Sequence, residues 1–302
     1  MSDRVLHLYL APAMRADAEA GQVNIVNRIA AAVAPAGLRL SFHDDTEAER
    51  QKAARRAGWS LFHMQPPIGP RTLCLRRAYH YPFWQIESVA ERWQFDVALA
   101  RFDAASVDPA QARGFARRWR EKLLGDPPVT REGFIFVPLQ GRLTEHRSFQ
   151  AMSPLDMIRA TLAADPARPL LARLHPKEVY TAADHRALAA LAKANPRFQM
   201  SDAPGPDLLS ACDYVVTQNS AMALSGLFLR KPAVLFADID FHHIAGSVRR
   251  DGLAAAFASV AGEPQDFDAY LWWFFKRHTI NGGSPEAEDQ IRARFARHGW
   301  QI

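Results

Sequence analysis

A chain of 302 residues and 33.8 kDa, 48% of it hydrophobic, suits one large domain or two ordinary ones. Its 37 Lys and Arg against 32 Asp and Glu leave a formal charge of +5 and a pI near 9.4. With no long basic block, the pattern argues against nucleic acid as a partner and fits a small anionic substrate or loose attraction to an acidic membrane surface. The two cysteines, Cys74 and Cys212, have no metal-ligand spacing, and a reducing compartment follows. The opening MSDRVLHLYL lacks a cationic segment ahead of a cleavable apolar one, and no apolar run approaches the roughly 20 residues that cross a bilayer. The expectation is a cytoplasmic protein.

The chain opens with a strand over 5–10, a helix over 22–34 with apolar residues at helical spacing, and a second strand over 38–42. A charged helix over 46–57 carries Thr46 at its start and Glu49 three residues on, the capping-box spacing, and a third strand spans 60–64. This βαβαβ opening lacks a glycine-rich turn after its first strand, so a dinucleotide fold is not supported. Residues 65–130 are broken by Pro66-Pro67, Gly69-Pro70 and Tyr81-Pro82. There Tyr79, His80, Tyr81, Phe83 and Trp84 make an aromatic knot that is either core or one wall of a sugar cleft. After an arginine-bearing helix over 110–124, Gly125-Asp126-Pro127-Pro128 predicts a domain boundary near 130.

Strand and helix then alternate regularly. Strands are predicted over 134–137, 170–174, 197–200, 214–216 and 233–236; helices are predicted over 154–164 (capped by Ser153), 184–195, near 208–209, and over 221–230. Lys231-Pro232 ends the last of these helices. The aromatic stretch 267–278 reads as a core helix joining two domains or, less well, as a membrane-surface helix. A final helix from 284 to about 297 can cross back to brace the first domain. The predicted organisation is therefore α/β, with two Rossmann-like domains facing a cleft: 1–130, 131–283, and a bracing helix in 284–302.

In a parallel sheet the carboxyl ends of the strands share one edge, where ligands bind. Four predicted strands of the second domain end in polar sets: Gln140 to Arg147 (with Arg142 and Glu145), His175-Pro176-Lys177, Gln218-Asn219-Ser220, and Asp238 to His243 with Asp240. Asn219 or Ser220 can simply cap a helix, but His, Lys and Gln are poor caps. His175 on a turn fixed by Pro176, beside Lys177 and helix amino termini, suits a phosphate rather than a cation. Asp238, Asp240, His242 and His243 are the alternative, a metal set, but no ligand-spaced motif supports it. Nor does a nucleophile elbow or a phosphate-binding Walker loop occur.

The segments FIFVPLQ, SFQAMSPLDMI, LHPKE and TQNSAMALSGLFLRKPAVLFADIDF, in that order, resemble the capsule polysaccharide biosynthesis family, which includes bacterial Kdo transferases. The likeness covers roughly residues 131–302, and the His-Pro pair is shared with other enzymes that use CMP-activated sugars. The resemblance implies a GT-B-like glycosyltransferase with an N-terminal acceptor-side domain and a nucleotide-sugar domain after it. It implies His175 and Pro176 at the nucleotide phosphate and Gln218, Asn219 and Ser220 beside a CMP-linked donor such as CMP-Kdo. No metal and no cofactor beyond the nucleotide sugar is expected. The acceptor would be lipid-linked or a saccharide, with peripheral contact at the inner membrane compatible with that role. Relatives carry an acidic residue shortly after the PLQ turn, and Glu145 is the nearest match here, as base or nucleophile. A UDP- or GDP-sugar donor, or a polysaccharide-binding or assembly protein of the same fold without catalysis, are the alternatives.

Overall fold

The computed structural model describes residues 4–262 and 265–302. The chain divides into two compact units, Met1–Ala100 with Trp273–Ile302, and Arg101–Trp272. The first stretch runs β1 (Val5–Leu10), α1 (Pro12–Glu19), α2 (Asn24–Val33), β2 (Arg39–Asp44), α3 (Glu47–Ala53), β3 (Trp59–His63), β4 (Thr72–Arg77), β5 (Phe83–Glu87) and α4 (Asp96–Leu99). The second unit begins with α5 (Pro109–Leu124), β6 (Ile135–Pro138), α6 (Pro154–Ala164), β7 (Leu170–Arg173), α7 (Ala182–Ala194), β8 (Phe198–Met200) and α8 (Gly205–Ala211). It continues through β9 (Tyr214–Thr217), α9 (Ala221–Phe228), β10 (Ala233–Leu235), β11 (Gly246–Ser247), α10 (Val248–Asp251), α11 (Leu253–Ala261) and α12 (Phe267–Trp272). β12 (Ile280–Asn281) and α13 (Ala287–Arg297) return to the first unit.

In the first unit the sheet order is β12-β5-β4-β3-β1-β2; β2, β1, β3 and β4 are parallel, and β5 and β12 each run against their neighbour. Alternation in β1 sends Leu6, Leu8 and Leu10 to one face, where Ile25, Val26, Ile29 and Val33 of α2 bury with them. Ile291 and Phe295 of α13, with Trp300, complete that core. Thr46 caps α3 by accepting the Glu49 N–H at 3.3 Å. The broken stretch after residue 65 holds two strands the sequence does not suggest, β4 and β5, paired from Cys74↔Glu87 to Arg77↔Trp84. Prolines fall in the turns on either side of β4 rather than within it, the Tyr81–Pro82 bond being cis. Of the aromatic knot, Phe83 and Trp84 are core, Tyr79 and His80 are half-buried, and Tyr81 is largely exposed.

The unit boundary falls at 100/101, not near 130. Ala112, Phe115, Ala116 and Trp119 form the buried face of α5, which packs on α12 and α9 within the second unit. Gly125, in the left-handed region at φ 71°, ends that helix rather than a domain. The aromatic stretch 267–278 is not one helix across a junction: α12 ends at Trp272, a π-helical turn follows over Trp273–Arg277, and the division into units falls between them.

All pairings in the second sheet are parallel, in the order β11-β10-β9-β6-β7-β8. Counted within the unit this is the doubly wound order 3-2-1-4-5-6 (read from β8 to β11), which reverses direction between β6 and β9. Both faces are covered, so these strands read as continuous apolar runs. β6 and β9 pair at Ile135↔Tyr214 and Phe136↔Val215. Past that point β6 stays with β7 through Pro138, and β9 stays with β10 through Thr217. The two strands therefore part toward their carboxyl ends, and a single side-chain bond, Thr217 Oγ1 donating to Pro138 O at 3.0 Å, spans the gap. At the opposite, amino edge Lys231 is 1% exposed, and its ammonium donates to the carbonyls of Thr130 and Cys212, tying the approaches to β6 and β9 to the start of β10.

Candidate functional site

Because the strands are parallel, the turns after β10, β9, β6, β7 and β8 lie in that order along one edge. The polar sets at Asp238, Gln218–Ser220, Gln140–Arg147 and His175–Lys177 thus come to one rim, centred on the switch between β6 and β9.

His175 is held at its backbone and at its ring. Its N–H donates to Tyr180 Oη at 2.9 Å, and its Nδ1 accepts the Lys177 N–H at 3.2 Å. With Nδ1 acting as acceptor, the neutral ring carries its proton on Nε2 and offers that N–H to a ligand. Pro176, Lys177 and Glu178 are exposed beside it. The turn after β6 comes close: a Cβ on Gly141 would stand 2.6 Å from Glu178 Oε2.

Four buried polar atoms on this rim have no hydrogen-bond partner: Gln140 Oε1, Arg147 Nε, Gln150 Nε2 and Gln218 Oε1. Such orphans are uncommon in folded proteins and mark places completed by water or ligand. The far side of two of the three amides is anchored. Gln218 Nε2 donates to Met152 O at 3.1 Å, and Gln150 Oε1 accepts the Arg147 N–H at 2.8 Å. Arg147 lies over the Phe149 ring at 4.8 Å, and burial, then the Arg142 charge, lowers its pKa. The predicted polar set ends at Arg147 without giving it a role and stops short of Gln150, whose signal is its place in the same turn after β6.

Glu145 lies on the outer part of this turn, 47% exposed, its carboxylate 2.6 Å from the guanidinium of Arg142. Arg142 sits at φ 62°. Ser220 caps α9, its Oγ accepting the Met222 N–H at 3.3 Å, so the plain capping role is present. Asn219 Nδ2 reaches Asp238 O at 3.5 Å. Asp238 Oδ2 lies 2.9 Å from Arg249 Nε, and Arg249 Nη1 also donates to Gln150 O at 2.9 Å. Asp240 departs from expectation: it is 0% exposed and stands beside Tyr270 in the interior. Burial first and the Asp240 charge second hold the Tyr270 hydroxyl far above its usual pKa. The chain over 238–240 is a loop beyond β10 and does not put both carboxylates on the rim.

The metal alternative does not gain a cluster. Among the described residues the one group of three candidate ligands is Glu87, Asp96 and His298, in the first unit. Arg297 Nε at 2.5 Å and Arg294 Nη1 at 3.3 Å already take Asp96, and His298 Nε2 hydrogen-bonds Ile86 O at 3.0 Å, so that group reads as a buried ion network.

Beside His175 and Pro176, a cavity of about 350 Å³ lies between the turns after β7 and β8. Leu174, Leu188 and Met200 give it apolar walls, while His185, Ser201 and Asp202 give it polar ones. Arg173 fixes the far turn by donating to Asp202 O at 2.9 Å and to Ala203 O. Asp202 is a further rim residue the sequence reading passed over, although it ends a strand as the others do.

Two Rossmann-like units, the second with its polar rim at the topological switch, define a GT-B-like fold. Residues 135–284 match the capsule polysaccharide biosynthesis protein family. No curated protein matches the sequence. Among solved structures, the chain is similar to the beta Kdo 2,7 transferase of Thermosulfurimonas dismutans KpsC, with 13% identity, a TM-score of 0.51 and coverage of 85% of this chain and 90% of that one. The beta Kdo 2,4 transferase of the same KpsC gives 14% identity and a TM-score of 0.43 over 90% and 98% of the two chains. MnaA of S. aureus with UDP gives 9% and 0.40 over 98% and 97%.

Proposed function

We propose that this protein is a glycosyltransferase of capsule or surface polysaccharide assembly that takes an acidic sugar, Kdo, from CMP-Kdo. The observation that carries the reading is the rim at the β6/β9 switch, where an oriented imidazole, exposed Lys177 and four unsatisfied buried polar atoms accompany an apolar cavity with a carboxylate. The nucleoside would enter the cavity, with Asp202 accepting ribose hydroxyls. The phosphate would meet His175 Nε2–H and Lys177. As the bond from the sugar's anomeric carbon to the phosphate oxygen breaks, the leaving CMP gains negative charge that these donors stabilise. The acceptor hydroxyl oxygen forms the new bond and gives up its proton. For Glu145 to take that proton, or to attack as nucleophile, its contact with Arg142 must open.

No cofactor or metal is assigned beyond the nucleotide sugar, and the acceptor is a saccharide or lipid-linked saccharide. Among the described residues no helix is long and apolar enough to cross a membrane. A cytoplasmic enzyme with peripheral contact at the inner membrane fits the donor, which is a cytoplasmic metabolite class. A UDP- or GDP-sugar would place its ribose near Asp238 or Asp240, but the first is paired with Arg249 and the second is enclosed. The second reading is a polysaccharide-binding or assembly protein without catalysis. It is favoured by the single feature that Glu145 is engaged by Arg142.

Thermal shift with CMP, UDP and GDP tests the donor. CMP should stabilise most, and His175→Ala should remove that response and lower kcat/KM by about 10²-fold or more. Equal silence from the three nucleotides would overturn the transferase reading in favour of the binder. A CMP response unchanged by His175→Ala would remove the imidazole from the phosphate site.

A further inference from the structure

α5 turns its apolar face inward through Ala112, Phe115, Ala116 and Trp119 and leaves the other face outside. Along the flank of α5, where it meets α9 and α12, is an open groove of about 640 Å³, lined by Arg113, Arg117, Arg120 and Arg230 with Asp126 and Asp268, by Ala116 and Phe228, and by the backbone at Gly114. None of these residues belongs to the rim described above. Two carboxylates do not neutralise four guanidinium groups, and both are already engaged: Arg230 Nη2 is 2.6 Å from Asp268 Oδ2, and Arg120 Nε is 2.7 Å from Asp126 Oδ1. The latter contact lacks hydrogen-bond geometry, so the buried Arg120 Nε–H is left without an acceptor. Arg113 and Arg117 are exposed, and no carboxylate of the described residues pairs with either. They are four positions apart on one helical face, where like charges repel.

Gly114 lies between them. A Cβ there would meet nothing within 4 Å, so neither packing nor an unusual backbone angle calls for glycine, the weakest helix former after proline. Its use leaves backbone open on the groove floor, where a ligand can approach closely.

We propose that this groove is a second anion site, independent of the donor rim, that binds a phosphate-bearing ligand with Arg113 and Arg117 as its direct contacts. A guanidinium presents paired N–H groups that match two phosphate oxygens, and two of them at helical spacing can hold one diphosphate or two neighbouring phosphate groups. Occupation would relieve the repulsion between them and give the Arg120 Nε–H an acceptor. The phosphate can come from an acidic lipid headgroup or from a soluble diphosphate, and the experiment separates the two.

The unliganded melting temperature confirms that the doubly substituted Arg113→Ala/Arg117→Ala protein is folded, both side chains being exposed. Pyrophosphate at low ionic strength should stabilise the unsubstituted protein, and the double variant should need roughly tenfold more of it for the same shift. Flotation with mixed phosphatidylglycerol–phosphatidylcholine vesicles, against phosphatidylcholine alone, gives the source. Retention lost in the double variant identifies a lipid headgroup, whereas a pyrophosphate response without retention identifies a soluble ligand. If both proteins respond equally to pyrophosphate and neither depends on Arg113 and Arg117 for vesicle retention, the proposal fails. Gly114→Ala adds a reading that a merely structural role would not give: a higher unliganded melting temperature with a weaker pyrophosphate response. A higher temperature with an undiminished response would overturn the close approach at Gly114. A missing CMP response would bear on the donor rim alone and leave this result standing.

Discussion

In the first unit two of the six strands, β5 and β12, run against their neighbours, whereas in the second unit all six are parallel. An all-parallel sheet sends every carboxyl end, and the turn that follows it, to one edge. A mixed sheet brings carboxyl and amino ends to the same side and disperses them. The buried ionisable groups follow suit. Burial lowers the pKa of His7, His63 and His298 and pushes His43, His80 and His278 down to about 4, all in the first unit. Unsatisfied buried polar atoms occur in both units; those of the second include four along its rim, and its buried ammonium lies at the opposite edge. The second unit thus sets a strand tie at its amino edge and four unsatisfied buried polar atoms at its carboxyl edge.

That contrast is broken most severely at Lys231. Its ammonium is the tie among the approaches to three strands, so Lys231→Ala leaves the carbonyls of Thr130 and Cys212 unpaired and opens a cavity beneath them. A loss of about 3–5 kcal/mol is expected in denaturant unfolding, since removing one partner of a buried charged contact strands the other. A loss below about 1 kcal/mol, the value of an ordinary exposed contact, would mean that the amino edge is not held this way.

The first unit should reveal itself through pH. Burial, and then the Asp96 charge, raises Glu87 from 4.5 to about 7. A carboxyl raised on folding contributes stability that is fully present below the unfolded value near 4.5 and is lost as pH rises through 7. The histidines have the opposite sense: lowered from 6.5 to about 4, they contribute stability present above 6.5 and lost as pH falls through 4. Glu87→Gln keeps an oxygen for the Asp96 N–H, which Glu87 Oε2 accepts at 3.1 Å, and removes the charge. It should leave stability near pH 4.5 unchanged and raise it at pH 8 by at most about 3 kcal/mol. Equal effects at the two pH values would show that Glu87 is not a buried acid in the folded protein.

How much of this was legible follows the same division. Regular alternation of apolar runs and helices made β6 to β10 readable nearly residue by residue, and Ser153 and Ser220 cap the helices they precede. From parallel strands alone, the turns at Gln140, His175 and Gln218 could be assigned to one edge. α1 was missed because its amino end has no side-chain cap, and β4 and β5 because prolines in the flanking turns mask short strands. The boundary near 130 misled because a helix stop and a domain stop carry the same glycine and prolines; only the packing of Phe115 and Trp119 tells them apart. Asp240 looked like Asp238 because burial leaves no mark on residue type.

The finest test lies where β6 and β9 part. Thr217 and valine have nearly the same shape, so Thr217→Val removes the bond to Pro138 O while filling the same space. A stability loss of about 1 kcal/mol is expected, the net value of one buried hydrogen bond. If the parting strands form the floor of the phosphate site, their spacing also sets the distance between the turns bearing Gln140 and Gln218. CMP affinity should then fall several-fold, although the substitution changes no charge and Thr217 itself is fully buried. The same loss of stability with an unchanged CMP response would move the donor away from the switch and toward the cavity by Asp202, leaving the hydroxyl as a strand tie alone.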